Sequence, residues 1–218
     1  MCDKRERRPV IYTDMIGEEE ITNWLLNNGI TKEQLENDLG PNLTLEPRKS
    51  YTDSACIVFL DETESMVSAG NICELLDNAA QSLNENEVDT FFGQNEDAIG
   101  ALVRHPGGYH EWLKVSAIPY LMKMKIPMSL VKLYRPETTK CVWINTLTKK
   151  VGIHGGPDST TMHNDLQAYI KEAYSEYQEG GSATGSLADK LSEFNEKYWF
   201  APKCQDTLTG LINALKRL

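Results

Sequence analysis

The segment TKCVWINTLTKKVGIHGGPDSTTMHNDL spans residues 139–166 and carries the clearest folding signal in the chain. Its apolar runs at 139–145 and 150–154 flank a Thr-Leu-Thr-Lys turn, a pattern typical of two antiparallel strands. An Asp-Ser pair then offers a capping residue for a helix over about 160–179. The segment therefore predicts a β-hairpin followed by a helix, and we expect an α+β fold in which this ββα-like unit is rich in histidine.

The residues before position 90 predict an acidic, mainly helical region. The expected elements are a helical hairpin over 18–28 and 31–40, a buried strand over 55–60 and an amphipathic helix over about 65–83. The polar stretch 84–89 then predicts a boundary near residue 90. We expect residues 1–90 to serve in docking or shielding and residues 91–218 to form a basic catalytic domain, with further helices from about 186 and 207.

Charge is distributed unevenly along the chain. Residues 1–100 hold 7 Lys/Arg against 21 Asp/Glu, a net charge of −14, whereas residues 104–150 hold 9 basic against 2 acidic residues, a net charge of +7. A basic segment of this kind favours binding to a polyanion such as nucleic acid, although a solvated sheet face is the alternative. We expect the acidic region to pack partly over the basic one.

All four histidines lie within the 59 residues from His105 to His163. His154 would end the second strand of the hairpin and His163 would lie in the first turn of the helix, so their rings should face each other. This is the geometry of a ββα-metal nuclease site, in which one imidazole acts as general base and another holds a divalent metal. Taken singly, His163 also fits a hydrogen-bonded core histidine.

A second pair, His105 and His110, flanks a Pro-Gly-Gly turn, and Glu111 adds a carboxylate. The turn would let these side chains approach the hairpin pair, although a simple tight turn is the alternative. If both pairs serve one site, they should line a single pocket.

Each candidate residue has an expected role. The catalytic candidates are His110, His154, Glu111 and Arg104, with His154 or His110 as the base and Arg104 on phosphate. The candidate metal ligands are His163, Asp165 and His105, with Glu111 as an alternative carboxylate, for a divalent Mg, Mn or Zn ion.

The two histidine motifs carry a family resemblance. His105–Trp112 reads His-Pro-Gly-Gly-x-His-Glu-Trp, and His154–Leu166 reads His-Gly-Gly-x-x-Ser-x-x-x-His-Asn-x-Leu. With these motifs, the stretch from Arg104 to about Leu191 resembles a carboxy-terminal toxin domain of bacterial polymorphic toxin systems, of the HNH-like nuclease type. The resemblance implies an antibacterial effector with a nucleic acid substrate and a cognate immunity protein. The chain departs from it by starting at an ordinary Met1 without a long delivery region, and by lacking the adjacent histidines of several such families.

The absence of several known motifs argues against some enzyme classes, and the cysteines and the amino terminus indicate the compartment. The chain has no Walker loop, dinucleotide-binding fingerprint, Gly-x-Ser-x-Gly elbow or HExxH motif. Its five cysteines are scattered and are interpreted as structural thiols in a reducing compartment. The charged amino terminus and the lack of a long apolar run predict a cytoplasmic protein that does not act at a membrane, with export into a target cell without a cleaved signal as the alternative.

The leading interpretation is a metal-dependent nuclease that acts as a toxin. One alternative is a non-catalytic interaction protein whose histidines are structural. The other is a toxin that hydrolyses something other than nucleic acid.

Overall fold

The computed structural model describes residues 6–11, 19–39, 44–50, 56–60, 63–105, 107–156 and 158–218. Pro106 and Pro157 of the histidine motifs, and Gly40 at the expected end of the second helix, lie outside these residues. The described chain combines helices with short antiparallel strands, which confirms the expected α+β class.

The described helices are α1 (Glu19–Asn27), α2 (Lys32–Leu39), α3 (Ile72–Ser82), α4 (Glu85–Val103), α5 (Ile118–Lys123), α6 (Met128–Leu133), α7 (Ser159–Gln178), α8 (Ala183–Lys197) and α9 (Pro202–Leu215). The strands are β1 (Glu6–Ile11), β2 (Thr44–Ser50), β3 (Cys56–Leu60), β4 (Thr63–Val67), β5 (Val142–Asn145), β6 (Val151–Ile153) and β7 (Tyr198–Phe200). β1 pairs with β2 and β3 pairs with β4, both antiparallel. None of these helices has the length and apolar composition that a membrane span requires.

The sheet that supports the histidine motifs has the order β6-β5-β7 and is antiparallel throughout. The predicted hairpin supplies β5 and β6, whereas β7 was not expected from the sequence. Trp143 on β5 lies opposite Gly152 on β6. A Cβ at Gly152 would come within 2.3 Å of the Trp143 indole nitrogen, so the close approach of the two strands requires glycine there.

The two faces of this sheet pack against different helices because side chains alternate along each strand. Val142 and Ile144 point to the side that is covered by apolar residues of α1 and α2. Trp143 and Phe200 point to the opposite side, into the main core that α7, α8 and α9 share. The hairpin is therefore buried on both faces, which explains its unbroken run of buried residues.

The boundary expected near residue 90 falls inside α4, which is continuous. The polar stretch before it is a helix start. The Asn84 side chain accepts the N–H groups of Asn86 and Glu87, and the Glu87 carboxylate accepts the Asn84 N–H. This reciprocal capping box satisfies donors that a helix start leaves unpaired. Residues from both sides of position 90 contribute to one core.

Three helix starts differ from the expected ones. The helix expected from about residue 65 begins at Ile72, because residues 63–67 form β4. Its predicted amphipathic character is present, since Ile72, Leu76 and Ala79 are buried. α8 and α9 begin at Ala183 and Pro202, each a few residues before the predicted position.

The acidic first part of the chain contacts the basic segment 104–150. Asp89 forms an ion pair with Lys123 at 2.7 Å. The Asp77 carboxylate accepts the Ser129 hydroxyl at 2.7 Å at the start of α6. At these two points the packing expected from the charge pattern is present.

Candidate metal centre

His110 enters the site from a loop that is paired with a second loop. The His110 N–H donates to the Pro136 carbonyl at 2.9 Å, and the Thr138 N–H donates to the Gly108 carbonyl at 2.8 Å. The His110 ring packs edge-on against Trp112, with centroids 4.6 Å apart. These contacts place His110 in the interior, with none of its surface exposed.

His154 and His163 come from the predicted hairpin and helix. His154 directly follows β6, and its N–H donates to the Cys141 carbonyl at 3.0 Å. In the loop that leads to α7, the Gly155 N–H donates to the Ser159 hydroxyl at 3.0 Å. Gly155 has a φ of 76°, a conformation that glycine adopts without strain. The short loop therefore brings the strand-end histidine close to the histidine in the second turn of α7.

The Ser159 carbonyl sets the orientation of the His163 ring. The His163 Nδ1 lies 2.6 Å from this oxygen. Because a carbonyl can only accept, Nδ1 carries the proton and donates it, which leaves the lone pair on Nε2. A backbone carbonyl is a common partner for the non-ligating nitrogen of a metal-binding histidine.

The rings of His110, His154 and His163 form a nearly equilateral triangle. Their centroids are 5.1, 5.2 and 5.3 Å apart, and each pair of ring planes is inclined by 72 to 76°. One ring nitrogen from each lies within 4.8 Å of the other two, so the three residues are close enough to hold a metal ion. A tetrahedral ion with bonds of about 2.0–2.1 Å to nitrogen would place imidazole centroids roughly 5 Å apart, which is the size of this triangle.

The environment favours the neutral forms of His110 and His163. Burial lowers the pKa of His110 well below its ordinary value, and the neighbouring His163 and His154 rings lower it further. Burial also lowers the pKa of His163, and the charges of Lys114 and Arg104 act in the same direction, while the hydrogen bond of its ring opposes them. Neutral imidazole is the form that binds a metal ion.

His110 has no hydrogen-bond partner on either ring nitrogen within the described residues. A buried polar atom that is left unpaired costs about 1–3 kcal/mol. Because a metal ion would bind one of these nitrogens, the unpaired ring is the strongest local indication that the three histidines form a ligand set.

Two cations lie beside the triangle. Lys114 and Arg104 both influence the pKa of His163. The Lys114 ammonium donates to the side-chain oxygen of Asn164, the residue after His163. Arg104 also influences the pKa of Glu111, so it lies near both histidine motifs. The surroundings of the triangle are therefore positively charged and suited to an anionic ligand.

Glu111 is paired with an arginine and is not part of the three-histidine group. Its Oε1 lies 3.3 Å from Nη1 of Arg135. The same guanidinium donates to the carbonyls of Val103 and His105. Burial raises the pKa of Glu111, and the charge and hydrogen bond of Arg135 oppose that shift. This ion pair therefore holds the loop that carries His110.

Two predicted ligands, His105 and Asp165, also lie outside the group. Asp165 accepts the Tyr198 hydroxyl at 2.5 Å and pairs with Lys197 at 2.6 Å. Residues two apart on a helix are separated by about 200° around its axis, so Asp165 and His163 project from opposite sides of α7. The structure therefore brings His110 of the first motif together with His154 and His163 of the second. His105 lies outside this group.

Sequence reasoning did not identify the contribution of Ser159. From the sequence, Ser159 was expected as one of two candidate caps of the helix. In the structure its carbonyl orients His163 and its hydroxyl accepts the Gly155 N–H. Its position four residues before a helical histidine was a usable signal, because a helical side chain lies over the turn that precedes it.

Comparison with known proteins found no match, whether among protein-family models, curated proteins or solved structures. The function is therefore inferred from the residues of the site.

Proposed function

We propose that this protein is a metal-dependent hydrolase that cleaves phosphodiester bonds in nucleic acid. The observation that carries the proposal is the convergence of His110, His154 and His163, with Lys114 and Arg104 beside them. Three protein ligands leave one position of a tetrahedral ion for water or substrate. That arrangement is typical of catalytic zinc sites, whereas structural zinc sites have four protein ligands.

The ligand chemistry favours zinc or a similar transition metal over magnesium. Imidazole nitrogen suits zinc, copper, iron and nickel, whereas magnesium takes oxygen ligands. The group of described residues that can hold an ion contains three histidines and no carboxylate. Of the Mg, Mn and Zn expected from the sequence, zinc fits this donor set best.

Each residue then has a role in the proposed reaction. A divalent ion at the three histidines would activate water and polarise the phosphate. Arg104 and Lys114 hold the phosphate oxygens and neutralise the charge that develops on them. Because neutral ligands leave the charge of the ion uncompensated, the site attracts an anionic substrate. Ser159 and the Glu111–Arg135 pair keep the ligand-bearing loops in place.

The biological role that we propose is that of an antibacterial toxin with a cognate immunity protein. This part rests on the resemblance of the motifs at 105–112 and 154–166 to polymorphic toxin nuclease domains. Expression of the chain without an immunity protein should arrest growth, and His163→Ala should relieve the arrest at equal protein level.

Metal binding is the first test. The purified chain is stripped with a chelator, dialysed against Zn²⁺, Mn²⁺ or Mg²⁺, and assayed for bound metal by atomic emission. We expect one equivalent of zinc per chain, and a large loss of zinc affinity in His110→Ala, His154→Ala and His163→Ala. His105→Ala is the matched control, because it removes the remaining histidine and should retain the zinc.

Hydrolysis is the second test. The zinc-loaded and stripped proteins are compared on single- and double-stranded DNA and RNA. Zinc-dependent cleavage that disappears in His163→Ala is the expected result. A folded protein that binds zinc but cleaves none of these substrates would favour a structural metal and the non-catalytic interaction protein. A variant His154→Ala that keeps zinc but loses turnover would make His154 the base instead of a ligand.

A further inference from the structure

Two cysteines that are far apart in the sequence meet in the core. The sulfur atoms of Cys141 and Cys204 lie 3.0 Å apart, and both residues are fully buried. A disulfide bond is about 2.03–2.05 Å long, so an approach of about 1 Å separates this thiol pair from a bond. We propose that Cys141 and Cys204 form an intramolecular disulfide under oxidising conditions. The inference does not depend on the proposed hydrolase activity.

The backbone already holds the two cysteines in adjacent elements. Cys141 directly precedes β5, and Cys204 lies in the first turn of α9. The Ala201 N–H donates to the Val142 carbonyl at 2.8 Å, which ties the chain entering α9 to the start of β5. A disulfide would therefore cross-link elements that are already in contact.

The reaction requires transient opening of the protein. Thiol–disulfide exchange proceeds through a thiolate, and burial raises the pKa of the Cys204 thiol. In an opened chain, one cysteine thiolate attacks a small disulfide such as glutathione disulfide, forms a mixed disulfide and releases one glutathione. The second cysteine thiolate attacks the mixed disulfide and releases the other. The cysteine pair loses two electrons, and glutathione disulfide gains them.

The bond would cross-link the sheet β6-β5-β7 to α9, beside the histidine triangle. The two cysteines are 63 positions apart, so the bond would close a long loop and restrict the unfolded chain substantially. The Cys141 carbonyl also accepts the His154 N–H, which places the cross-link directly behind one of the three histidines. A chain that passes from a reducing to an oxidising compartment would acquire this additional restraint.

The test uses the full chain in a glutathione redox buffer, with moderate urea to populate open states. After return to native buffer, remaining thiols are alkylated and disulfides are mapped by peptide mass spectrometry. We expect one intramolecular bond, between Cys141 and Cys204, and a rise in melting temperature of roughly 5–15 °C that a reductant reverses. Cys73→Ala is the matched control, because it removes a half-buried thiol outside this pair and should preserve both results.

Several outcomes would overturn the inference. One is a refolded chain in which Cys141 and Cys204 are both alkylated or carry glutathione separately. Another is a bond from either cysteine to a different partner. An unchanged melting temperature in a chain with the mapped bond would confirm the bond and overturn the stabilisation that we expect from it. Since the wild-type chain alone decides these points, the folding of a cysteine variant is not required.

Discussion

Two clusters of ionisable side chains lie along α7, and they differ in how their charge is balanced. Toward the end of α7, the Lys190 ammonium of α8 lies 3.0 Å from Glu176, 3.0 Å from Glu193 and 3.8 Å from Glu172. Near its start, His163 joins two other histidines. The Lys190 cluster contains both signs of charge, whereas the histidine cluster gathers three bases of the same kind.

The difference in charge indicates a different role for each cluster. In the Lys190 cluster one ammonium is shared by three carboxylates, and these contacts join α7 to α8. His110 is fully buried and His154 and His163 are partly buried, so protonating all three together is costly, and the charges of Lys114 and Arg104 oppose protonation of His163. The histidine cluster is therefore a group of nitrogen donors that could hold a metal ion.

Removing one residue from each cluster should produce the largest difference between the two clusters. His163→Ala should lower nuclease turnover by at least about 10²-fold, because it removes several kcal/mol of transition-state stabilisation. Lys190→Met should leave turnover per folded molecule unchanged. Single-turnover cleavage at saturating zinc, with the bound zinc of each protein determined, measures both. A His163→Ala protein that is destabilised but retains full turnover would return this histidine to a purely structural role.

Zinc should stabilise the protein through the histidine cluster alone. At a free zinc concentration of 100 times the Kd, binding to the folded state contributes about 2.7 kcal/mol. For a chain of this size, this corresponds to a rise in melting temperature of roughly 5–10 °C. Scanning calorimetry with zinc and with a chelator measures the rise. It should persist in Lys190→Met and vanish in His110→Ala; an equal rise in both variants would locate the zinc elsewhere.

The two clusters should also differ in their response to pH. Burial lowers the pKa of His110 and His163 in the folded protein, so between those values and the unfolded pKa of about 6.5 the unfolded chain binds more protons. The stability from neutral histidines is therefore complete above about pH 6.5 and is lost as pH falls, by up to ~1.4 kcal/mol per pH unit for each. Urea unfolding without metal from pH 5 to 8 measures this slope.

The Lys190 cluster provides the control for that slope. Hydrogen bonds to Glu193 and Glu176 raise the pKa of Lys190, so this group stays charged throughout pH 5 to 8. Lys190→Met should preserve the wild-type slope, whereas His163→Gln should reduce it. Identical slopes in the wild type and His163→Gln would show that this histidine does not titrate differently in the folded and unfolded chains.

The smallest effect is expected from Lys190→Met on stability. Its partners are about half exposed, so the loss should be about 1 kcal/mol, as for other exposed ion pairs, and should shrink as salt is added. The melting temperature should fall by roughly 2–4 °C at low salt. Thermal unfolding at low and high salt checks both points. A loss that is independent of salt would assign the effect to lost packing instead.

Local patterns predicted the elements with strong periodicity and missed those without it. The hairpin and helix of 139–179 are present because apolar runs, the turn between them and helical periodicity are properties of neighbouring residues. The strand Tyr198–Phe200 was missed because three residues are too few for a period. The polar stretch 84–89, which contains the capping box at Asn84, was interpreted as a domain boundary because polar residues begin helices as well as loops.

The candidate site was predicted in part for the same reason. His154 and His163 face each other across a short local connection, which the spacing anticipates. Asp165 was predicted in the same site, although helical geometry turns it away from His163, and this divergence can be read from the sequence. The separation of His105 from His110 was not predictable, since it depends on the pairing of their loop with residues 136–138.

The sequence by itself determined the α+β class, the hairpin–helix unit and the residue type of the ligands. These follow from periodicity, capping and side-chain chemistry, which act over a few residues. Only the tertiary structure decided that His110 completes the triangle and that Cys141 lies beside Cys204. Those contacts join distant segments, and they depend on how the helices and the sheet bury their apolar faces together, which no local pattern specifies.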